Sequence, residues 1–406
     1  MTLPGFPVRV LQITRIVPFA ALLALSATAI RAQPAIASLR DRPLAAWNQE
    51  EREFGFLRWS AINETRPVRR GARVHPLPAG APLRAFARGG AEVGQLDAYI
   101  AEQKVAGMLV LQDGKRRLER YALGLTPAKR WTSFSVAKSI TGTLVGAALR
   151  DGYIKSVDDL VTRYIPGLRG SAYDSVTVRQ LLTMTSGVRW NEDYTDTTSD
   201  VYRFHYHTPP RGENATVSFM RTLARDTTPG TKWAYKTGET NLIGVLVSSA
   251  TKQRLSSYLS RTIWGTYGME VDATWQLDRG GHEHGGCCFQ ATLRDFGRFG
   301  QFILEQGRAG GRSRLADGWL DAATHRQAGI GAVGRGYGYQ WWTVDDGTFA
   351  ARGIHGQTIH VDPARRLVVV ILSAWPVATG QDPSAARTEM MNRIIAAIDA
   401  EGVSRP

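Results

Sequence analysis

The sequence predicts an α/β (α+β) fold in which an antiparallel sheet is flanked by helices and carries an inserted all-helical lobe. Strand-like segments cluster at 105–122 and again at 337–375, whereas the segments between them have helical apolar spacing. Strands at both ends with helices between them indicate one sheet assembled from distant parts of the chain. At 406 residues the chain can form one large domain or two intimately packed ones.

The first 32 residues predict a secretory signal peptide. Arg9 and Arg15 precede an apolar run over residues 16–30, and small residues follow that run. The run is short for a membrane-spanning helix, which needs about 20 residues, and an uncleaved anchor is the alternative. We therefore expect a periplasmic or secreted protein with no stable membrane insertion after the signal is removed.

The chain is basic, and most of its positive charge comes from arginine. The formal net charge is +14, and removal of the three arginines in residues 1–32 leaves +11. No concentrated basic block is present, so we expect no nucleic-acid partner and assign the excess to solvated charge or to an anionic surface such as cell wall. The sequence leaves the oligomeric state open.

Composition divides the chain after the signal peptide into two parts. Residues 33–90 are rich in arginine and proline with scattered aromatic residues, which predicts an extended N-terminal arm wrapped on the body. We expect the main domain over 91–400, with a sheet lobe at about 91–150 and 290–400 and a helical lobe at about 151–289.

Within the main domain, apolar periods of 3.6 and 2 residues predict helices and strands, respectively. The expected elements are a helix at 94–103, a hairpin of 105–111 and 116–122, a helix at 135–149, helical or loop segments at 158–164, 178–183, 215–224, 239–251 and 255–267, a helix at 292–305, strands at 337–344, 347–354, 358–361 and 366–375, and a helix at 384–399. The hairpin turns at Gln112-Asp113-Gly114, a sequence typical of tight turns.

A serine precedes a lysine by three positions at the start of the 135–149 helix, for which Thr132 or Ser133 is the expected N-cap. Positions i and i+3 lie on one helical face, so the Lys138 amine can reach the Ser135 hydroxyl. A serine hydroxyl is a weak nucleophile until a base takes its proton, and burial shifts a lysine toward its neutral form. A lone S-x-x-K match also occurs by chance on surface helices, so other motifs must support it.

Two later stretches supply complementary chemistry. Tyr235 lies just before a predicted helix N-terminus, where it can exist as a phenolate and act as a base; a core aromatic with a satisfied hydroxyl is the alternative. Gly353 joins two predicted strands and lets the backbone approach a ligand closely, so amides there can form half of an oxyanion hole. The segment 181–194 adds a turn with aromatic and polar side chains.

Two patterns suggest metal or cofactor sites but lack the necessary context. Cys287 and Cys288 are adjacent, so they form either a rare vicinal disulfide or two thiols, and a disulfide framework is excluded. The segment 282–288 lacks a CxxC or HExxH arrangement, and we predict no metal. Residues 329–334 match G-x-G-x-x-G, but a strand is expected to follow, so we predict no dinucleotide cofactor.

With these motifs in this order, the chain resembles the serine β-lactamase-related hydrolases of the class C and penicillin-binding type. It is most similar to the branch that contains 6-aminohexanoate-dimer hydrolase. The match covers about 90–400 and runs from S-x-x-K through Leu-Leu-Thr-Met-Thr-Ser-Gly, a tyrosine motif and a glycine-bearing strand motif to Val-Asp-Pro. The resemblance implies a β-lactamase/transpeptidase-like catalytic domain.

The resemblance also implies an activity and site residues. It implies an exported serine hydrolase that cleaves a small-molecule amide or ester through a covalent acyl-enzyme on Ser135, without a cofactor. The alternative is a slowly turning-over penicillin-binding-type protein, or a receptor for cell-wall peptides or β-lactams. Lys138 matches the proton-transfer partner, and Tyr235 matches the tyrosine that carries a proton to the leaving group. The amides of Ser135 and Ile354 match the oxyanion hole. The expected substrate-binding residues are Tyr194, Gly353, His355 and Gln357.

Two departures from the family pattern concern the substrate. The Y-x-N motif of class C enzymes is here Tyr235-Lys236-Thr237, and the K-T-G motif of many lactamases is Arg352-Gly353-Ile354. Because polar groups at those places normally hold a lactam carboxylate, these departures favour linear amides or esters over lactams.

Trp341 and Trp342 alternate across a strand, so at most one of them faces the cleft.

Overall fold

The computed structural model describes residues 1–2, 5, 36–40 and 42–402. Nearly all of the predicted signal peptide, residues 1–32, lies outside the described residues. Among the helices that the structure does describe, none combines the length and the apolar character needed to cross a bilayer. The described residues from 36 to 402 belong to a single compact unit.

The helices and strands follow in chain order. The α-helices are α1 (Ile36–Arg40), α2 (Gln49–Leu57), α3 (Trp59–Ile62), α4 (Val93–Glu102), α5 (Val136–Arg150), α6 (Val178–Leu182), α7 (Asp200–His205), α8 (Ala215–Met220), α9 (Thr237–Thr251), α10 (Leu255–Leu259), α11 (Gly265–Tyr267), α12 (Leu293–Leu304), α13 (Trp319–Thr324) and α14 (Gln381–Ala400). The strands are β1 (Thr65–Val68), β2 (Val105–Gln112), β3 (Lys115–Tyr121), β4 (Trp131–Thr132), β5 (Ala273–Gln276), β6 (Phe289–Ala291), β7 (Arg308–Ala309), β8 (Arg312–Ser313), β9 (Ala328–Gly329), β10 (Arg335–Tyr337), β11 (Trp342–Val344), β12 (Phe349–Arg352), β13 (Thr358–Asp362) and β14 (Leu367–Ser373).

The main sheet is antiparallel and has the strand order β3-β2-β14-β13-β12-β11-β10-β9. Its centre joins segments that are far apart in the chain, because β2 pairs with β14, with Met108 opposite Ile371. The predicted assembly of one sheet from distant segments is therefore confirmed. The helical segments α6 to α11 come between these two groups of strands, as the sequence predicts.

Both faces of the central strands are buried. In β2, Met108 and Val110 face a core shared with α4 and α14, whereas Leu109 and Leu111 face a second core that includes α12. Alternate side chains of a strand point to opposite faces, so a strand covered on both sides must be apolar throughout. This explains why the sequence shows the strand at 105–111 as a continuous apolar run.

A second antiparallel sheet, with the order β1-β5-β6-β4, was not predicted. Its strands are two to four residues long, too short for an alternating pattern to be recognised. This sheet matters for the site because Trp131 in β4 pairs with Ala291 in β6, and β4 ends three residues before Ser135.

The N-terminal arm differs from the prediction of an extended segment. It contains α2 and α3, and β1 belongs to the second sheet. Phe56 is completely buried, and its ring packs 4.9 Å from that of Phe134 and 5.2 Å from that of His355. Trp59 packs 5.3 Å from Phe134. Residues 47–62 are therefore part of the core beside the nucleophile candidate.

Two local predictions were also wrong. Ser135 itself is the N-cap of α5, rather than Thr132 or Ser133. The strand expected at 337–344 is broken, because Gln340 has a φ of 66° and separates β10 from β11. The G-x-G-x-x-G stretch begins with the last residue of β9 and leads directly into β10, so a strand follows it, as expected.

We predict that Phe56→Ala destabilises the protein by about 3–5 kcal/mol, the usual cost of removing a buried phenyl ring. Phe54, on the same helix, is only partly buried, so Phe54→Ala should cost less, roughly 1–2 kcal/mol. Urea unfolding of both variants measures the difference. Equal and small losses would show that residues 47–62 are not an integral part of the core.

Candidate active site

Ser135 lies where the second sheet gives way to α5. Phe134, directly before it, has a φ of 43°, a conformation that costs free energy in a residue with a side chain. Aromatic rings from Phe56 and Trp59 surround Phe134 and hold it there. The turn brings the Ser135 hydroxyl to the start of the helix, where it is 8% exposed and thus within reach of a small molecule.

Lys138 is buried one turn into α5, with 1% of its surface exposed. Its Nζ lies 3.0 Å from the Ser135 Oγ, 3.0 Å from the Thr237 Oγ1 and 2.7 Å from the Gly286 carbonyl oxygen. Burial lowers the pKa of the Lys138 amine from 10.5 to about 8, while the charge of Glu192 acts in the opposite direction. The amine is therefore partly neutral near physiological pH and can accept a proton.

The Tyr235 ring lies beside this pair, with the Lys138 Nζ 5.0 Å from its centroid. Burial raises the pKa of the Tyr235 hydroxyl well above its usual value, the charge of Glu192 raises it further, and the nearby Ser135 side chain acts in the opposite direction. The phenol is thus protonated in the resting site, and the predicted phenolate is wrong for this state.

The backbone amides of Ser135 and Ile354 belong to the site. Neither the Ser135 N–H nor the Ile354 N–H donates a hydrogen bond to any residue that the structure describes. Gly353 brings the two segments together, because a Cβ at this position would lie 2.6 Å from the Ser133 carbonyl oxygen and 3.1 Å from the Ser135 nitrogen. Two free donors at such a position suit an anion that forms on a reacting carbonyl.

His355 and Gln357 do not line the pocket, contrary to prediction. His355 is 4% exposed, its Nδ1 lies 2.8 Å from the Trp375 carbonyl oxygen, and burial lowers its pKa to about 4. Gln357 is completely buried and donates to the carbonyl oxygens of Ile354 and Ser373 at 3.2 and 2.7 Å. Both side chains brace the turn that carries Ile354.

Tyr194 lies at the site and is bound to a residue that the sequence did not single out. Its hydroxyl donates to the Glu192 Oε1 at 2.6 Å, and Glu192 also accepts from the Thr237 amide at 2.8 Å, from the Thr237 hydroxyl and from the Trp190 indole N–H. Glu192 is thus tied to the first residue of α9, where the helix dipole favours a negative charge.

Aromatic rings border Tyr235. Trp342 stacks on Tyr235, with ring centroids 5.6 Å apart, and the Arg352 guanidinium lies 5.8 Å from the Trp342 ring. Arg352 forms no ion pair with a carboxylate among residues 42–402. Trp341, which directly precedes β11, is buried between Phe299 and Phe349.

The region around the two cysteines contributes backbone atoms to the site. Cys287 and Cys288 form a disulfide, the vicinal alternative of the two that the sequence allowed. Among the described residues, no group of three or more acidic, histidine or cysteine side chains is placed to hold a metal. Gly286 presents its carbonyl to Lys138, and a Cβ there would lie 2.8 Å from the Thr237 carbonyl oxygen, so only glycine fits easily.

With this geometry established, comparison with known proteins identifies the relatives of the chain. Residues 93–390 match the family model described as Beta-lactamase. The chain belongs to the β-lactamase family. It is 30% identical over 360 residues to the 6-aminohexanoate-dimer hydrolase of Paenarthrobacter ureafaciens, and the alignment covers 85% of this chain and 89% of that protein. The predicted family resemblance is confirmed.

Solved structures of other proteins share the fold. A protein from Bacillus anthracis, provisionally described as a 6-aminohexanoate-dimer hydrolase, superposes with a TM-score of 0.75 at 22% identity and covers 87% of this chain and 95% of its own. The octameric penicillin-binding protein homologue from Pyrococcus abyssi has a TM-score of 0.59 at 18% identity, with coverages of 75% and 78%. These similarities confirm the predicted β-lactamase/transpeptidase-like fold.

The structure contains one site residue that the sequence analysis did not single out. Ser135, Lys138 and Tyr235 were predicted from motifs, and the structure brings them together with the Ile354 amide. Glu192 was not singled out, although it lies within the segment 181–194, because its partner Thr237 is 45 positions later in the chain and no motif reports that contact. The replacement of asparagine by threonine in the Y-x-N motif was the one available signal that this side of the site is built differently.

Proposed function

We propose that this β-lactamase-family protein is a serine hydrolase that cleaves an amide or ester bond of a small molecule through a covalent acyl-enzyme on Ser135. The observation that supports this most directly is the 3.0 Å contact between the Ser135 hydroxyl and the buried Lys138 amine. An amine with a pKa of about 8 can take the serine proton at neutral pH, which is what a hydroxyl needs to act as a nucleophile.

In the proposed acylation, the Ser135 Oγ forms a bond to the substrate carbonyl carbon while its proton passes to the neutral Lys138 amine. The carbonyl oxygen becomes an anion and accepts hydrogen bonds from the amides of Ser135 and Ile354, which have no other acceptor among the described residues. Removal of one such donor typically costs roughly 10²–10³ in rate, so both contribute substantially.

Collapse of the anion breaks the bond to the leaving group, which must gain a proton if it is an amine. Tyr235 is protonated because its pKa is raised, and it stands beside Ser135 and Lys138, so it can donate that proton and regain one from the Lys138 ammonium. Water then attacks the acyl-enzyme, gives a proton to the same groups and releases the acid with Ser135 restored.

We further propose linear amides that carry a carboxylate as the preferred substrates. Arg352 replaces the lysine of the K-T-G motif, and its guanidinium stands next to Trp342 without a carboxylate partner among residues 42–402. An acidic group on the substrate would neutralise it. A relative at 30% identity is a 6-aminohexanoate-dimer hydrolase, whose name describes a linear substrate. The sequence of residues 1–32 supports export as the setting for this activity.

The acyl-enzyme is tested with a fluorophosphonate probe and with p-nitrophenyl acetate. The wild-type protein should be labelled and should turn over, and Ser135→Ala should abolish both. Lys138→Ala and Tyr235→Phe should lower kcat/KM by roughly 10²–10⁴, the usual contribution of general acid–base groups. Ser139→Ala is the matched control, since that hydroxyl lies on the same helix but donates to the Gln340 carbonyl.

Two outcomes of this experiment would redirect the proposal. Labelling of Ser135 without turnover indicates the penicillin-binding or receptor alternative. Ester hydrolysis by Ser135→Ala at the wild-type rate contradicts the mechanism altogether.

The pH dependence follows from Lys138. Only the neutral amine accepts the serine proton, so kcat/KM for a substrate that does not ionise should fall as the pH drops below about 8 and level off above it. A pH–rate profile from 5.5 to 10 measures this limb, and Lys138→Ala should lack it. A rate that is constant from pH 6 to 9 would show that Lys138 is not the base.

Arg352 should set the preference for acidic substrates. The ratio of kcat/KM for the 6-aminohexanoate dimer to that for p-nitrophenyl acetate should fall roughly 10–100-fold in Arg352→Ala, because a hydrogen bond to a charged group is worth about 1.5–3 kcal/mol. Arg352→Lys retains the charge and should lose less. An unchanged ratio would remove Arg352 from substrate recognition while leaving the acyl-enzyme chemistry intact.

A further inference from the structure

The three oxygen neighbours of the Lys138 Nζ differ in what they can do with a proton. The Gly286 carbonyl oxygen, at 2.7 Å, has no proton and can only accept. The hydroxyls of Thr237 and Ser135, both at 3.0 Å, can each donate or accept. Which hydroxyl donates to the amine decides whether Lys138 activates Ser135 or is occupied elsewhere.

Glu192 removes this freedom from Thr237. A carboxylate can only accept hydrogen bonds, and the Glu192 Oε1 is bonded to the Thr237 Oγ1. A threonine hydroxyl has one proton, which this bond uses. The Thr237 Oγ1 therefore meets Lys138 with its lone pairs and can only accept from the amine.

The hydrogen bonds of the neutral Lys138 amine can then be assigned in only one way. A neutral amine has two N–H groups and one lone pair. Its two N–H groups are taken by the Gly286 carbonyl and by the Thr237 Oγ1, so the lone pair is left for the remaining neighbour, the Ser135 hydroxyl. This is the orientation in which Lys138 accepts the serine proton.

We propose that Glu192 is a positioning residue which, through the Thr237 hydroxyl, directs the Lys138 lone pair at Ser135. The proposal rests on the function proposed above and adds to it the group that orients the base. It also accounts for the Tyr235-Lys236-Thr237 departure from Y-x-N, because a threonine needs an outside acceptor to fix its proton. Glu192 supplies that acceptor from a loop well before α9 in the chain.

Glu192 is itself held firmly enough for this task. Its Oε2 accepts from the Thr237 backbone amide at 2.8 Å and from the Trp190 indole, while its Oε1 accepts from Tyr194 at 2.6 Å as well as from the Thr237 hydroxyl. Four donors surround one carboxylate, so the acceptor cannot rotate away without losing several charge-assisted bonds.

Replacement of Glu192 by glutamine should reverse the direction of the hydrogen bond to Thr237. The Oε2 position faces two N–H donors, so the amide oxygen of the new side chain must lie there and its NH₂ must take the Oε1 position. That NH₂ donates to the Thr237 Oγ1, which turns the threonine proton toward Lys138. The lone pair of the neutral amine is then used by Thr237 and is lost to Ser135.

Loss of the Glu192 charge also changes the pKa of Lys138, and this effect can be distinguished from the change in hydrogen-bond direction. The titratable and charged groups near Lys138 include Glu192 and Tyr235. Tyr194 is hydrogen-bonded to Glu192, and the Arg352 guanidinium lies 5.8 Å from the ring of Trp342, which stacks on Tyr235. Glu192 favours the ammonium, so Glu192→Gln moves the acid limb of the pH–rate profile to lower pH. A lower pKa alone would raise activity at neutral pH, whereas loss of the lone-pair orientation lowers the plateau.

The experiment uses the full-length protein with p-nitrophenyl acetate turnover and fluorophosphonate labelling from pH 5.5 to 10. Glu192→Gln should lower the plateau kcat/KM at least 100-fold and shift its acid limb downward. Thr237→Val, which keeps Glu192 but removes the hydroxyl, should also lower the plateau, and Thr237→Ser should restore it to within about tenfold of wild type. Circular dichroism and thermal melting establish that each variant is folded.

Thr240→Val is the matched control, because its hydroxyl is buried on the same helix but donates to the Gln340 side chain. Thr240→Val should have the same plateau value of kcat/KM as wild type, and its kcat/KM should fall at the same acidic pH. A Glu192→Gln variant whose limb shifts while its plateau stays at the wild-type level would reduce Glu192 to a source of charge and overturn the proposal. So would a Thr237→Ser variant as slow as Thr237→Val.

These failures are distinct from failure of the proposed function. If wild-type protein is neither labelled nor active, the acyl-enzyme itself is excluded, and the orientation of Lys138 loses its catalytic meaning. If wild type is labelled and turns over while Glu192→Gln and Thr237→Val match it, the hydrolase stands and only the role of Glu192 and Thr237 is rejected.

Discussion

The burial of one primary amine is the constraint around which the rest of the site is organised. The Lys138 Nζ is surrounded by oxygens from three separate parts of the fold: α5, the start of α9, and the connection between β5 and β6. A buried ammonium without such partners would cost several kcal/mol. The hydrogen bonds of the Lys138 amine therefore connect the start of α9 to the segment between two strands of the second sheet, directly beside Ser135.

The parts of this arrangement that are local in sequence could be predicted. The S-x-x-K spacing on a helical face correctly placed Lys138 next to Ser135, and the central strands were recognisable because burial on both faces makes them apolar throughout. The second sheet could not be predicted, since strands of two to four residues carry no readable period. The mistaken expectation for His355 has a similar origin. Its φ of 57° turns the side chain into the core, and no pattern in the sequence reports that.

The features of the site that could not be predicted depend on contacts between residues far apart in the chain. Glu192 and Thr237 meet because a loop after α6 passes over the N-terminus of α9, which depends on the packing of the whole helical region. The family pattern gave only the negative signal that an asparagine was missing. Both departures from the family motifs thus have a physical counterpart in the structure: Thr237 is paired with Glu192, and Arg352 stacks next to Trp342.

The strained turn at Phe134 connects the chemistry to the order in which the chain is made. The rings that hold this turn come from residues 47–62, ahead of the nucleophile candidate, whereas the Ile354 amide comes from one of the last segments to be synthesised. A nascent chain that has emerged only as far as α9 contains Ser135, Lys138 and Tyr235 but lacks Ile354, whose amide belongs to the same site. The arrangement is therefore geometrically complete only after the segment that follows β12 has been synthesised.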